Sequence, residues 1–162
     1  YILFFFFLPR VKQMFLNIIL IEEFLHESLA ELSGGDFEAS SKLSDICGQE
    51  KKHLALFNAL LKDKRLFADD INEEPEMNEF SKSIAAMPKF KKLEKSEALR
   101  EILKLEKKNY EFLSFLNRHL DAPHHEEADL QESLSSIMKE EREHIKFIEN
   151  HLESMDDLKG GV

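Results

Sequence analysis

The chain has 162 residues, a formal net charge of -10, 43 % hydrophobic and 33 % charged residues, and a single cysteine. That size suits one domain with its own core, the acidic balance excludes a nucleic-acid partner of the usual Lys- and Arg-reading kind, and one cysteine excludes an internal disulfide and fits a reducing cytoplasm. Two Val, no Thr, no Trp, five Gly and four Pro leave few strand formers and few tight turns, which rules out all-β and doubly wound α/β folds and predicts an all-α one.

In chain order, Tyr1 to Leu8 are apolar, but Pro9, Arg10 and Lys12 end the run well short of the roughly 18 to 20 residues that span a bilayer. No complete transmembrane helix is expected, and residues 1–13, with Phe4 to Phe7, are expected to lie outside the fold. From Met14, apolar residues recur at helical spacing as Ile18, Ile21, Leu25, Leu29 and Leu32, ending at Gly34 and Gly35, which predicts a first helix. Asp36 is the expected cap of a second, which carries Leu43, Ile46, Cys47, Leu54, Phe57 and Leu61, with Cys47 as a small buried filler.

Between about Lys64 and Lys95 the pattern weakens at Asp69, Asp70, Pro75 and Pro88, so this stretch is expected to be a crossover. A short helix is expected at Phe80 to Met87, and the acidic run from Asp69 to Glu79 reads as solvated. A third helix follows with Ile102, Leu105, Leu113 and Leu116, and a fourth with Leu130, Leu134, Ile137, Ile145, Ile148 and Leu152. Asp121 to Glu127, containing His124 and His125, form the loop between them. The expected domain is therefore residues 14–155, with 156–162 as a tail.

The two hairpins read as copies. Gln49-Glu50-Lys51-Lys52-His53 aligns with Glu140-Glu141-Arg142-Glu143-His144 at an offset of 91, while Ile18, Ile21, Leu29 and Leu32 fall on Ile102, Leu105, Leu113 and Leu116 at an offset of 84. The difference of 7 is expected in a longer second turn. Two such hairpins joined by a long connection predict a four-helix bundle.

Each helix also carries a glutamate inside its apolar stripe: Glu22 four after Ile18, Glu50 four after Ile46, Glu106 four after Ile102, and Glu141 four after Ile137. His53 and His144 stand three residues after Glu50 and Glu141, on the same helix face. Four carboxylates buried together without compensation would cost several kcal/mol each. A metal pair is the economical compensation, and four carboxylates with two imidazoles suit iron or manganese. A third Glu-x-x-His, Glu23 to His26, has Lys107 and Tyr110 as its repeat counterparts and is read as standing apart. Glu27 and Glu111 lie off the stripe and are read as partners for basic residues on neighbouring faces.

This set resembles the ferritin-like di-iron carboxylate proteins, and within them the rubrerythrin-like branch, over about residues 15 to 152. One Glu from each of two helices and Glu-x-x-His from each of the other two is the known signature of that group. The resemblance implies a ferritin-like four-helix bundle and a di-iron oxidoreductase that reduces peroxide or O2 with electrons from an unknown donor, in a homodimer. It implies that Glu50 and Glu141 are the catalytic, bridging ligands and that Glu22, Glu106, His53 and His144 are terminal ones. The chain departs from the pattern in lacking the four-cysteine rubredoxin module, in Asn109 for a second glutamate, and in Leu29 and Leu113 for tyrosines. Tyr110 is read as an ordinary half-buried side chain. Two other classes of function carry the same features: metal binding or storage without turnover, and a helical interaction module.

Overall fold

A computed structural model of the chain describes residues 8–33, 40–62, 82, 84, 93–119 and 125–160. Four long helices account for nearly all of them: α1 (Leu8–Ser33), α2 (Ser40–Leu61), α3 (Lys95–His119) and α4 (His125–Gly160). No strand occurs among the described residues. None of the described helices is long and apolar enough to cross a membrane.

Side-chain pairs fix the directions of the helices. Phe15 meets Phe57 edge to face at 6.0 Å, and further along α1 His26 meets Cys47, so α1 and α2 are antiparallel. Arg100 pairs with Asp156 and Lys107 with Glu149, so α3 and α4 are antiparallel too. His53 reaches Glu140 while Gln49 reaches His144, which makes α2 and α4 antiparallel. It follows that α2 and α3 run the same way, and the chain between them must connect opposite ends of the bundle. With α2 about 33 Å long at 1.5 Å per residue, that connection has to be long. This is an all-α four-helix bundle built from two hairpins.

Apolar positions spaced three and four apart bury two layers of side chains, one toward each end of the bundle. One layer includes Leu25, Leu29, Leu43, Ile46, Leu99, Ile102, Ile148 and Leu152. The other includes Phe15, Ile18, Phe57, Leu113, Leu116, Leu134 and Ile137. On every helix the glutamate lies between residues of the two layers.

Several expectations about boundaries need correcting. α1 starts at Leu8, not Met14, because Pro9 falls in the first turn, where its missing N–H breaks no helical bond. α4 continues to Gly160 through the expected tail; Arg100 Nη2 donates to both oxygens of Asp156 at 2.9 and 2.8 Å, and nothing in the sequence breaks the helix before Gly160 and Gly161. The added length of the second hairpin is helix, not turn: α4 runs from His125 to Glu141 where α2 runs only from Ser40 to Glu50, and α3 runs from Glu106 to His119 where α1 runs only from Glu22 to Ser33.

Asp36, Phe4 to Phe7, the acidic run and His124 lie outside the described residues, as do the side chains of His125, Glu126 and Glu127. Of Phe80 to Met87, only Lys82 and Ile84 are described; both are helical, and Ile84 is buried.

Candidate metal centre

Between the two apolar layers, all four helices turn a carboxylate inward. Glu22, Glu50, Glu106 and Glu141 expose 0 % of their surface, and His53 and His144 expose 3 % and 2 %. The positions follow from helical geometry, because a residue four after one core aliphatic and three or seven before the next shares their face. The six side chains predicted from the sequence are brought together without exception.

They form two overlapping groups. Glu22, Glu50, His53 and Glu141 form one, and Glu50, Glu106, Glu141 and His144 the other; within each group one ligand atom per residue lies within 4.8 Å of all the others. Glu50 and Glu141 belong to both. The imidazoles stack with ring centroids 6.2 Å apart at an interplanar angle of 24°. His53 Nδ1 lies 3.2 Å from Glu141, 3.6 Å from Glu22 and 3.8 Å from Glu50. His144 Nδ1 lies 2.8 Å from Glu50 and 3.7 Å from Glu106.

The outer face of each ring is anchored across the bundle. His53 Nε2 donates to Glu140 Oε2 at 3.1 Å, and His144 Nε2 donates to Gln49 Oε1 at 2.9 Å. A carboxylate or amide oxygen only accepts, so Nε2 carries a proton in each ring, and Nδ1 is turned toward the carboxylates of the cluster. This is the arrangement of a metal-ligating histidine. Asn109 Nδ2 adds a third such contact, donating to Glu22 Oε1 at 2.7 Å within the buried layer.

Burial and mutual charge shift the proton affinities of the cluster in opposite directions. Burial pushes the Glu22 carboxyl well above its ordinary 4.5, and the Glu50 carboxylate adds to the shift. Burial raises Glu106 in the same way, with Glu141 and Glu50 adding to it. Burial acts upward on Glu50 as well, but the facing Glu22 carboxyl, His144 and His53 outweigh it and hold Glu50 well below 4.5. Burial opposes a charge on His53, yet Glu141, Glu22 and Glu50 around Nδ1 keep it protonated far above 6.5. Burial thus favours the protonated forms of Glu22 and Glu106, and the surrounding carboxylates favour protonated His53.

The fit to a metal pair rests on orphaned atoms. Glu22 Oε2, both oxygens of Glu50, Glu106 and Glu141, and Nδ1 of both histidines are buried without a hydrogen-bond partner, although each unpaired buried polar group costs about 1 to 3 kcal/mol. Each of these residues belongs to one or both of the two groups. These Glu/His groups can hold metal ions, and carboxylate oxygens with imidazole nitrogens suit iron or manganese.

The remaining candidates read from the sequence lie elsewhere. His26 stays out of both groups: its Nδ1 is 3.2 Å from the Cys47 carbonyl oxygen and 3.2 Å from Cys47 Sγ. Cys47 is half-buried rather than a fully buried filler, because it sits at the α1–α2 seam, where burial raises its thiol above the usual 9.0. Tyr110 is half-buried, with the Arg142 guanidinium 5.6 Å from its ring. Glu27 is exposed, and Glu111 pairs at 2.7 Å with Lys108 on its own helix, not with a neighbouring face. Gln49, Glu140 and Asn109 hold the cluster's side chains by hydrogen bonds, and helical spacing alone does not single them out. The one signal for the first two is that each directly precedes a ligand glutamate. No family model, no curated protein and no solved structure matches the chain.

Proposed function

We propose that the chain is a di-iron oxidoreductase of the rubrerythrin-like kind, reducing peroxide or O2 at a carboxylate-bridged metal pair. The observation that supports this is the pair of ligand groups sharing Glu50 and Glu141. In this reading those two carboxylates would serve both ions, Glu22 and His53 would complete one position, and Glu106 and His144 the other. The same ligands accept manganese. A bound pair of redox-active ions supplies the two electrons of the reduction.

The chain's own residues supply the setting. Glu140 and Gln49 hold the imidazoles with Nδ1 inward. The leucine and phenylalanine layers above and below exclude bulk water, which strengthens every charge interaction between them. Burial and the neighbouring carboxylates favour the protonated forms of Glu22, Glu106 and His53, so metal binding there would release protons. One cysteine cannot build a rubredoxin module within these 162 residues, so in this reading electrons reach the bundle from outside it.

Leu29 and Leu113 are fully buried and place aliphatic side chains where rubrerythrin-like proteins carry tyrosines. That favours a second reading, metal binding or storage without turnover. Anaerobic reconstitution with Fe(II), followed by metal analysis and by O2 and peroxide consumption, separates the two. Two ions per chain with rapid consumption, lost in Glu50→Ala and Glu141→Ala, supports the oxidoreductase. Two ions without consumption supports storage. Failure to retain metal defeats both and leaves a helical interaction module.

A further inference from the structure

The two halves of the cluster are copies in their ligands but not in what holds those ligands. Glu22 and Glu106 correspond at an offset of 84, yet the residue three positions on is Leu25 in α1 and Asn109 in α3. Asn109 reaches across to Glu22, donating from Nδ2 to Oε1 at 2.7 Å, and leaves Oε2 facing the centre. Glu106 has no such support: neither of its oxygens has a hydrogen-bond partner. The histidines differ in the same sense. His53 donates to a carboxylate, Glu140, whereas His144 donates to the neutral amide of Gln49, and these two acceptors are themselves counterparts at an offset of 91.

Both differences act in one direction. A carboxylate accepting from the outer N–H makes the imidazole a stronger electron donor through its other nitrogen than an amide does. It also adds negative charge near the first position, since Glu140 lies behind His53. The amide that pins Glu22 fixes one of its oxygens before any ion arrives, so less side-chain freedom is lost on binding there than at Glu106.

We propose that the two metal positions are inequivalent, the Glu22/His53 position being the tighter and the first to fill, with Asn109 and Glu140 as the positioning residues that make it so. This rests on the di-metal reading above and adds the order of loading to it. Because Glu50 and Glu141 serve both positions, the difference resides in the unshared ligands and their anchors.

The experiment is titration of the chelated full chain with Mn(II) alone, by calorimetry, together with anomalous diffraction from crystals grown at one equivalent and at excess Mn(II). At one equivalent the anomalous peak is expected beside Glu22 and His53, and at excess a second peak beside Glu106 and His144. Glu140→Gln gives both histidines an amide acceptor. It is expected to weaken the tighter step by about 10-fold or more, the usual effect of losing an outer hydrogen-bond partner, and to bring the two steps together. Asn109→Leu, which copies Leu25, is expected to shift the same step in the same direction. A first peak beside Glu106 and His144, or equal occupancy of both positions at one equivalent, overturns the proposal. So does a Glu140→Gln variant that folds and binds Mn(II) with the wild-type steps. No Mn(II) at either position even at excess removes the di-metal reading itself, and the proposal with it; the excess-metal crystals tell that outcome from the others.

Discussion

Glu106→Gln separates metal binding from folding, because the same side chain does different things with and without cations. Burial, with Glu141 and Glu50 adding to it, favours the neutral form of the Glu106 carboxyl, and a neutral amide of nearly the same shape replaces it in the chelated protein. The metal-free variant is therefore expected to melt within about 4 °C of wild type, corresponding to at most about 1 kcal/mol in a chain of this length. With metal the two proteins part. An ion at one hundred times its dissociation constant stabilises the folded state by about 2.7 kcal/mol, so two ions give roughly 5 kcal/mol. At about 2 to 4 °C per kcal/mol this is a rise of about 10 to 20 °C for wild type. Glu106→Gln loses an anionic ligand at one position of the pair and is expected to show about half that rise. The assay is a pair of thermal melts by circular dichroism, one with chelator and one with excess Mn(II). An equal metal-induced rise in both proteins would refute the ligand role, and a metal-free variant melting more than about 10 °C lower would refute the neutral-carboxyl argument.

The stability of metal-free protein should depend on pH with a sign set by the cluster. Glu22 and Glu106, raised above 4.5, and His53, raised above 6.5, contribute stability at low pH that is lost as pH rises through their folded values; Glu50, lowered, contributes stability above 4.5 that is lost as pH falls. Between about pH 5 and 8 the melting temperature with chelator is expected to fall with pH while the rise caused by Mn(II) grows, because binding releases the retained protons; melts at several pH values check both slopes. Leu113→Ala removes a fully buried side chain and is expected to cost about 2 to 5 kcal/mol in urea unfolding while the variant still retains two ions by metal analysis. His26→Ala breaks only the contact with Cys47, so metal stoichiometry should stay at the wild-type value and stability should drop by about 1 kcal/mol; loss of an ion would place His26 in the metal centre after all.

The bundle and its six inward Glu and His side chains are legible in the sequence because two independent patterns coincide. A glutamate inside an aliphatic stripe is informative by itself, and the repeat of Glu50/His53 as Glu141/His144 removes chance as an explanation. His26 stands apart in sequence and structure alike, and the antiparallel pairing explains why: with Glu22 opposite Glu50, the next turn of α1 meets Cys47 one turn back along α2. What stays hidden depends on how the helices are rotated about their axes. Nothing in the spacing of Asn109 says that its amide crosses to Glu22, and Gln49 and Glu140 matter only because α2 and α4 face each other. The start of α1 is obscured for a different reason. The run from Tyr1 to Leu8 has no polar face to reveal periodicity, and Pro9 signals a helix start as readily as an interruption.

The position of the charged layer midway along the bundle also fixes how far each helix can slide. Shifting α4 by one turn against α2, about 5.4 Å, would drive Glu141 into a layer of leucine and isoleucine and part His144 from Gln49. Aliphatic contacts alone would tolerate such a slip, since one row of leucines packs much like the next. Only one axial setting lets every carboxylate find an imidazole or amide, so the layer acts as a notch that locks the register of the four rods.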